Sequence, residues 1–573
     1  MSSRFLKFAI MKTKLLACIG NGIVLVLMGC SGPGPADLII DHGKVVTVDP
    51  AFSIQEAVAV KDGKIIDVGS GKKMARYRGS STRYIDAKGL LVLPGLVDAH
   101  AHLVSLGNQL VHLDINACKS FAEIVEKVAG QVKEKEPGEW IVGGRWDQTE
   151  WASSAFPEHD LLSRVSPENP VYLTRVDGNS AFVNRKALEL AGIDASTPDP
   201  PGGKIIRKEN GEPTGVLINQ AMNLVKDLFR DDDESLLQSK LQKAVQSCLA
   251  VGLTGVHEAG VGPEEIAVFK KMVDEGLLGL RVNAMLGEQE KPTFQVDDLE
   301  AFFREHYLDS YGGDMLQVKT IKLYFDGALG SRGAAFFEPY EDDPDNIGLL
   351  RIPPEYITEV TTAALKAGMS VGTHCIGIRG NRLCLEAYER ALQEVPTDDH
   401  RLRIEHAQVV RPEDIRKFAE LQVIPAMQPI HCTSDKDMVP ARIGMDRAAF
   451  AYAWKTFLEM GLTIPCGSDF PVESNDPLLG IYAAVSRKLP GEARGWHTEQ
   501  RMTIEEAIKG YTMWAAHAAF MEDKTGTIEI GKYADFTILD RDILDIDPEE
   551  ILDTKVMYTI VGGKIMHTAE KND

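Results

Sequence analysis

Eight short apolar runs, each set off from the next by a stretch long enough for a helix, dominate the chain from about Leu90 to Phe520. In order they are LLVLPGLVDAH, VGLTGVHEAG, LRVNAML, QVKTIKLYFDG, MSVGTHC, LRIEHA, VIPAMQP and TIPCGSD. Alternating strand and helix patterns build a parallel sheet. Eight such strands are the number that closes a (β/α)8 TIM barrel, an α/β fold whose working face lies at the C-terminal strand ends. Residues 94–115 and 245–520 are expected to form it. Polar side chains gather at the predicted strand ends: His100 and His102 at the first, Lys322 and Asp326 near the fourth, His374 at the fifth, His406 at the sixth, Asp469 at the eighth.

The chain has 573 residues, and single cores stop growing near roughly 250 to 300, so further domains are required. Both ends supply them. ADLIIDHGKVVTVD, AVAVKDGKIIDVG and RYIDAKGLLVLPG near the start, and GTIEIGKYADFTILD and VMYTIVGGKIMH near the end, alternate short β-branched runs with Gly turns. Unpaired edge strands invite aggregation, so residues 37–93 and 525–570 are expected to join in one composite β-sandwich. Residues 116–244 exceed what a loop after the first strand needs and read as an inserted α+β subdomain beside the barrel mouth. Within it, GGRWDQTEW offers Trp146 and Trp151 either as pocket lining or as subdomain core.

Residues 1–30 read as a signal rather than as part of the fold: Lys12 and Lys14 precede an apolar run from Leu15 to Met28. Met11 by itself begins a signal of ordinary length. Leu27-Met28-Gly29-Cys30 resembles the bacterial lipoprotein box, in which the Cys carries the lipid, and Ser31–Pro35 reads as a tether. The expected location is the bacterial cell envelope on the periplasmic face, membrane-anchored through Cys30; Ser31 after it is compatible with the outer membrane. A cleaved signal without lipid is the alternative. The remaining six cysteines are scattered with no C-x-x-C pair, so neither a disulfide framework nor a thiolate zinc site is implied. With 62 Lys plus Arg against 84 Asp plus Glu, the formal charge of −22 would repel a phosphate backbone, and nucleic acid is not an expected partner.

In a strand, residues i and i+2 point to one side. His100 and His102 therefore project together and can share a metal. H-x-H alone is a weak signal. Further histidines and a carboxylate, each ending an apolar strand at the same rim, supply the rest of a coordination shell. Lys322 is open to two readings. As an ammonium it donates only, and would pair with Asp326 or a substrate carboxylate; as a neutral amine it can add CO2 and become an anionic carbamate able to bridge two metals.

The strings LPGLVDAHAH, IKLYFDGALGSRGA, THCIGIRGN, LRIEHAQ, MQPIH and CGSDFPV, in this order, resemble the amidohydrolase superfamily, and within it the YtcJ-like, amidohydrolase-3 branch. The resemblance runs from the first hairpin to GKYADFTILD, nearly the whole chain beyond the signal. It implies that His100 and His102 bind the more buried metal, that Lys322 is the carboxylated bridge, that His374 and His406 bind the second metal, and that Asp469 binds metal and serves as base. Zn suits imidazole and carboxylate ligands, one or two ions being held, and Mn, Fe or Co fit the same set. Two positions depart from the branch: Ile378 stands where Asp is usual, and Asn179, in VDGNSAFVN, where His is usual. Both are expected to lie where substrate is recognised, as are Trp146, Arg332 and Gln428. His431 is expected to act on the scissile group. His257, with no motif around it, reads as a packed histidine.

The function expected is hydrolysis of a carbon–nitrogen bond other than a peptide bond in a small molecule, by a metal-bound hydroxide with Asp469 as general base. A lactone or ester hydrolase on the same metal site is the second reading. A catalytically silent binding lipoprotein is the third.

Overall fold

The computed structural model describes residues 34–115, 118–148, 151–152, 155–175, 180–226, 228, 234–288 and 293–569. Seven strands, β1 (Leu96–Ala101), β2 (Leu253–Val261), β3 (Arg281–Leu286), β4 (Leu316–Tyr324), β5 (Ser370–Cys375), β6 (Arg403–His406) and β7 (Ile424–Ala426), run parallel and pair in that order. They are buried almost throughout. Helices cover their outer side and packed side chains fill the inner one, which explains why they read as continuous apolar runs rather than alternating ones. Pro263, Pro354, Pro412 and Pro477 open four of the covering helices, where a missing N–H has no intrahelical partner to lose.

The eighth stave differs from the strand expected over TIPCGSD. Only Cys466 pairs in a ladder, by a single parallel bridge to Met427. Pro465 has no N–H to give a ladder, and Asp469 turns to a φ of 61°. The segment still closes the barrel. Gly467 N donates to Met427 O at 3.0 Å on one side, while on the other Ala99 N donates to Cys466 O at 2.9 Å and Asp469 N to His100 O at 2.8 Å. Closure needs glycine at 467, since a Cβ there would fall 2.5 Å from His100 N.

Strands from the two chain ends share one sheet. Phe536–Leu539 pairs antiparallel with Leu91–Pro94, and Val556–Val561 and Lys564–Thr568 extend it. A four-stranded sheet from Leu38–Asp41, Ala57–Lys61, Lys64–Gly69 and Arg83–Asp86 packs Ile40, Val58 and Ile65 against Phe536, Ile538 and Ile560. The sandwich is tied to the barrel by the buried pair of Arg281 on β3 with Asp535, at 2.7 Å. After β1 the chain builds a separate six-stranded sheet, from Leu113–Asp114 to Pro213–Asn219, with its own apolar clusters. Cys118, Cys248, Cys375, Cys384, Cys432 and Cys466 are all buried and free.

Candidate metal centre

The staves converge on a cavity of about 480 Å³ at the C-terminal mouth of the barrel. His100 ends β1 pointing inward, and His102 begins the helix Leu103–Val111. The His406 ring lies 4.8 Å from that of His100 and 4.4 Å from that of His374. Asp469 Oδ1 sits 3.0 Å from His102 Nε2 and 3.4 Å from His100 Nε2. His100, His406 and Asp469 each present a ligand atom, all within 4.8 Å of one another. Lys322 Nζ is 3.4 Å from His100 Nε2.

Two members of this group depart from ordinary strand backbone. His406 has φ 72° and Asp469 φ 61°, left-handed values that non-glycine residues adopt only where surrounding structure enforces them. The consequence at β6 is specific. Glu405 and His406 are neighbours, so a regular strand would send them to opposite sides. With His406 turned, both serve the barrel interior.

Side chains behind the centre fix its ring nitrogens. Glu405 Oε2 lies 2.5 Å from His100 Nδ1. An ionised carboxylate only accepts, so Nδ1 carries the proton and the lone pair of His100 faces the cavity from Nε2. Gln428 Oε1 accepts from His406 Nδ1 at 2.7 Å in the same manner. Gln428 thus orients a histidine, where a substrate contact was expected. Asp98 accepts from His100 N, Ser468 N and Ser468 Oγ, tying the first stave to the eighth. Glu258 accepts from Leu103 N and Val104 N, holding the helix that follows His102. Asp326 accepts from Ala335 N, Ile376 N and Gly377 N, so it is not the ion-pair partner of Lys322.

Burial governs the protonation states. It lowers His100 to about 4 and His374 to about 3, and holds His406 well below the usual imidazole range. All three are neutral at pH 7 with lone pairs to give, the form in which imidazole ligates metal. Burial opposes ionisation of Asp469, but its hydrogen bond to His102 and the neighbouring imidazoles hold the carboxyl well below its ordinary range. Burial also lowers Lys322, to about 8. His374 Nε2 and His431 Nε2 make no protein hydrogen bond, the nearest carboxylate oxygens being Asp326 Oδ1 at 3.6 Å and Asp469 Oδ2 at 3.9 Å. Neutral imidazoles and one ionised carboxylate around one space are a donor set that fits a divalent cation.

His431 lies on the helix Pro429–Asp435, its ring stacked 6.1 Å from that of His406 and its Nε2 3.9 Å from Asp469 Oδ2. Other expected site residues fall elsewhere. Trp146 is 1% exposed in the core of the insert, its Nε1 donating to Leu173 O at 2.8 Å, so it packs rather than lines the mouth. Arg332 pairs in bidentate fashion with Asp342 at 3.0 Å and does not reach the cavity. Ile378 is buried in the core at the start of its helix, away from where recognition was expected. Asn179 and Cys30 lie outside the described residues. His257 is packed as expected, accepting from Arg403 Nη1 at 3.0 Å. Glu405, Glu258 and Asp98 were missed. For Asp98 a signal existed, because Asp98, His100 and His102 stand at i, i+2 and i+4 of one apolar stave.

The model of the amidohydrolase family matches residues 83–567, most of the chain. The chain belongs to this family. Among amidohydrolase relatives, YtcJ of Bacillus subtilis (strain 168) is 33% identical over 516 residues, covering 89% of this chain and 96% of its own. An N-substituted formamide deformylase of Arthrobacter pascens is 27% identical over 541 residues, covering 93% and 98%. A metal-dependent hydrolase from Pyrococcus furiosus, known by crystal structure, superposes with a TM-score of 0.72 at 28% identity, covering 89% of this chain and all of that one. The chain is accordingly a hydrolase of the amidohydrolase superfamily with a metal-binding TIM barrel.

Proposed function

We propose that this hydrolase cleaves a carbon–nitrogen bond other than a peptide bond in a small N-acyl compound. The observation that carries the reading is the convergence of His100, His406 and Asp469 ligand atoms within 4.8 Å, with His102, His374 and Lys322 around them. The formamide deformylase relative, similar over nearly its whole length, supports the bond type. His100, His102, His374, His406 and Asp469, with Lys322 as a carbamate, would hold one or two divalent ions, zinc being suited to these donors. When bound, such an ion polarises an acyl oxygen and lowers the pKa of its water from about 15.7 toward roughly 7.

The residues then divide the work. Asp469, ionised and at the cavity floor, takes the proton of the attacking water and passes it to the leaving nitrogen as the C–N bond breaks. His431, with its proton on Nε2, donates from that nitrogen to the acyl oxygen as negative charge develops there. Gln428 and Glu405 keep His406 and His100 in the tautomers that face the cavity. Lys322 is fully buried, its Nζ 3.4 Å from His100 Nε2 and 4.9 Å from the centre of the Tyr324 ring, with the Glu405 and Asp469 carboxylates and the Arg403 guanidinium close enough to act on its charge. An ammonium there repels a divalent ion. Addition of CO2 to the neutral amine, with loss of one proton from nitrogen, gives an N–C bond and a carbamate of the required charge.

Metal analysis of the purified protein, joined to a screen of N-formyl and N-acyl amines against matched lactones, tests this. Metal-dependent turnover of the amides supports it. Turnover of lactones alone favours an ester hydrolase on the same site, and metal without turnover of either class favours a binding protein. The chain is further proposed to be tethered to the bacterial envelope through a lipid on Cys30, on the strength of Leu27-Met28-Gly29-Cys30.

A further inference from the structure

We infer that Arg403 and Glu405 are positioning residues for His100, braced from β2 by His257. Both stand on β6 at i and i+2, both are wholly buried, and they form a two-bond pair: Arg403 Nε to Glu405 Oε1 at 2.5 Å and Nη2 to Oε2 at 2.9 Å. Arg403 also donates from Nη2 to Ala99 O on β1 at 2.7 Å and from Nη1 to His257 Nδ1 at 3.0 Å. Glu405 Oε2, so held, lies 2.5 Å from His100 Nδ1. The chain His257, Arg403, Glu405, His100 therefore crosses the barrel interior through three staves and ends on the ring that faces the cavity. Guanidinium donates only, so His257 accepts at Nδ1 and is neutral with its proton on Nε2. Room for the pair is made by Gly372 on β5, where a Cβ would fall 2.7 Å from Glu405 Oε1.

Barrel interiors are ordinarily filled by branched apolar side chains. Replacing a buried ion pair with well-packed apolar residues is often neutral or stabilising, so stability alone does not account for this one. What an apolar layer cannot do is fix a ring. A carboxylate accepting from Nδ1 sets the tautomer and orientation of His100 and makes Nε2 a better donor, and Arg403 in turn fixes the carboxylate at both oxygens. Four acceptors around one guanidinium leave little freedom for either group.

The inference rests on the proposed metal centre, and the experiment separates the two. Wild type, Glu405→Gln, Arg403→Lys and His257→Leu are compared by competition with a chromophoric chelator for Zn, by the absorption bands of the Co(II)-loaded protein, and by melting temperature. Glu405→Gln is expected to weaken metal binding by roughly 10- to 100-fold and to shift the Co(II) bands. Arg403→Lys, which keeps the charge but not the fork, and His257→Leu, which removes only the brace, are expected to weaken it less and in that order. Melting temperatures that fall while metal affinity per folded molecule and the Co(II) bands stay at wild-type values would overturn the inference. Should Glu405→Gln fail to fold, the same two readouts on His257→Leu decide. A wild-type chain that takes up no divalent ion overturns the function proposed above, and this inference with it.

Discussion

His102 Nε2 and Asp469 Oδ1 lie 3.0 Å apart across the seam where the first and eighth staves meet. They come from opposite ends of the barrel sequence, and Asp98 and Gly467 bring their staves together. Asp469→Asn keeps the shape and one oxygen but cannot accept a proton. Metal content is expected to fall modestly while turnover falls by roughly 10² to 10⁴, the usual worth of a positioned acid or base. Metal content, melting temperature and turnover measured on one preparation check this. A less stable protein with near-normal turnover per folded molecule would reduce Asp469 to a brace of the barrel rim.

Lys322→Ala empties a fully buried position beside His100. If the lysine serves as a carbamate, this variant loses metal and most activity, and acetate or propionate in the vacated space restores part of both. Lys322→Arg is expected not to recover, because guanidinium cannot form the carbamate. Normal metal content and undiminished turnover in Lys322→Ala would remove the bridging role.

Carbamate formation also carries a pH signature. CO2 adds to the neutral amine, and burial lowers Lys322 to about 8. Below that value the neutral fraction rises about tenfold per pH unit, and above it the fraction levels off. Reactivation of metal-stripped protein by Zn at fixed dissolved CO2 is therefore expected to accelerate about tenfold from pH 6 to pH 7 and to flatten above about 8. A rate still climbing tenfold per unit beyond pH 9 would place Lys322 near the range of an exposed lysine.

The barrel and its mouth were legible in the sequence because both rest on repeating constraints. Seven parallel strands need apolar runs, and a metal site needs His or Asp at the barrel mouth, so His100, His374 and His406 on those strands and Asp469 on the eighth stave could be picked out by position. The eighth stave was legible as a stave but not in its geometry, since Pro465 and the left-handed Asp469 replace ladder bonds with single bridges. Glu405 was hidden by the turn at His406, which breaks the period-two rule at the residue that would have exposed it. Trp146 and Arg332 misled because residue type signals chemistry and not direction: one indole found a backbone carbonyl in the insert, and one guanidinium found Asp342.

Cys30→Ser addresses location. With the thiol that would carry the lipid removed, the protein is expected to leave the membrane fraction and lose a metabolic lipid label, since that thiol is the proposed attachment point and stable anchoring takes more than one acyl chain. Unchanged fractionation together with no loss of label would rule out lipidation there.

His431 presents a polar nitrogen, Nε2, buried without a partner and 3.9 Å from Asp469 Oδ2. His431→Phe keeps a flat ring against His406 and removes that nitrogen, so the melting temperature is expected to hold. Turnover is expected to fall by roughly 10² to 10³, the measured worth of one donor to a developing oxyanion, with the loss in kcat rather than KM. A histidine that merely packs predicts the opposite pair of results, a lower melting temperature with turnover per folded molecule retained. Thermal melts and steady-state kinetics on the same variant distinguish the two, and retained kcat would remove His431 from the chemistry.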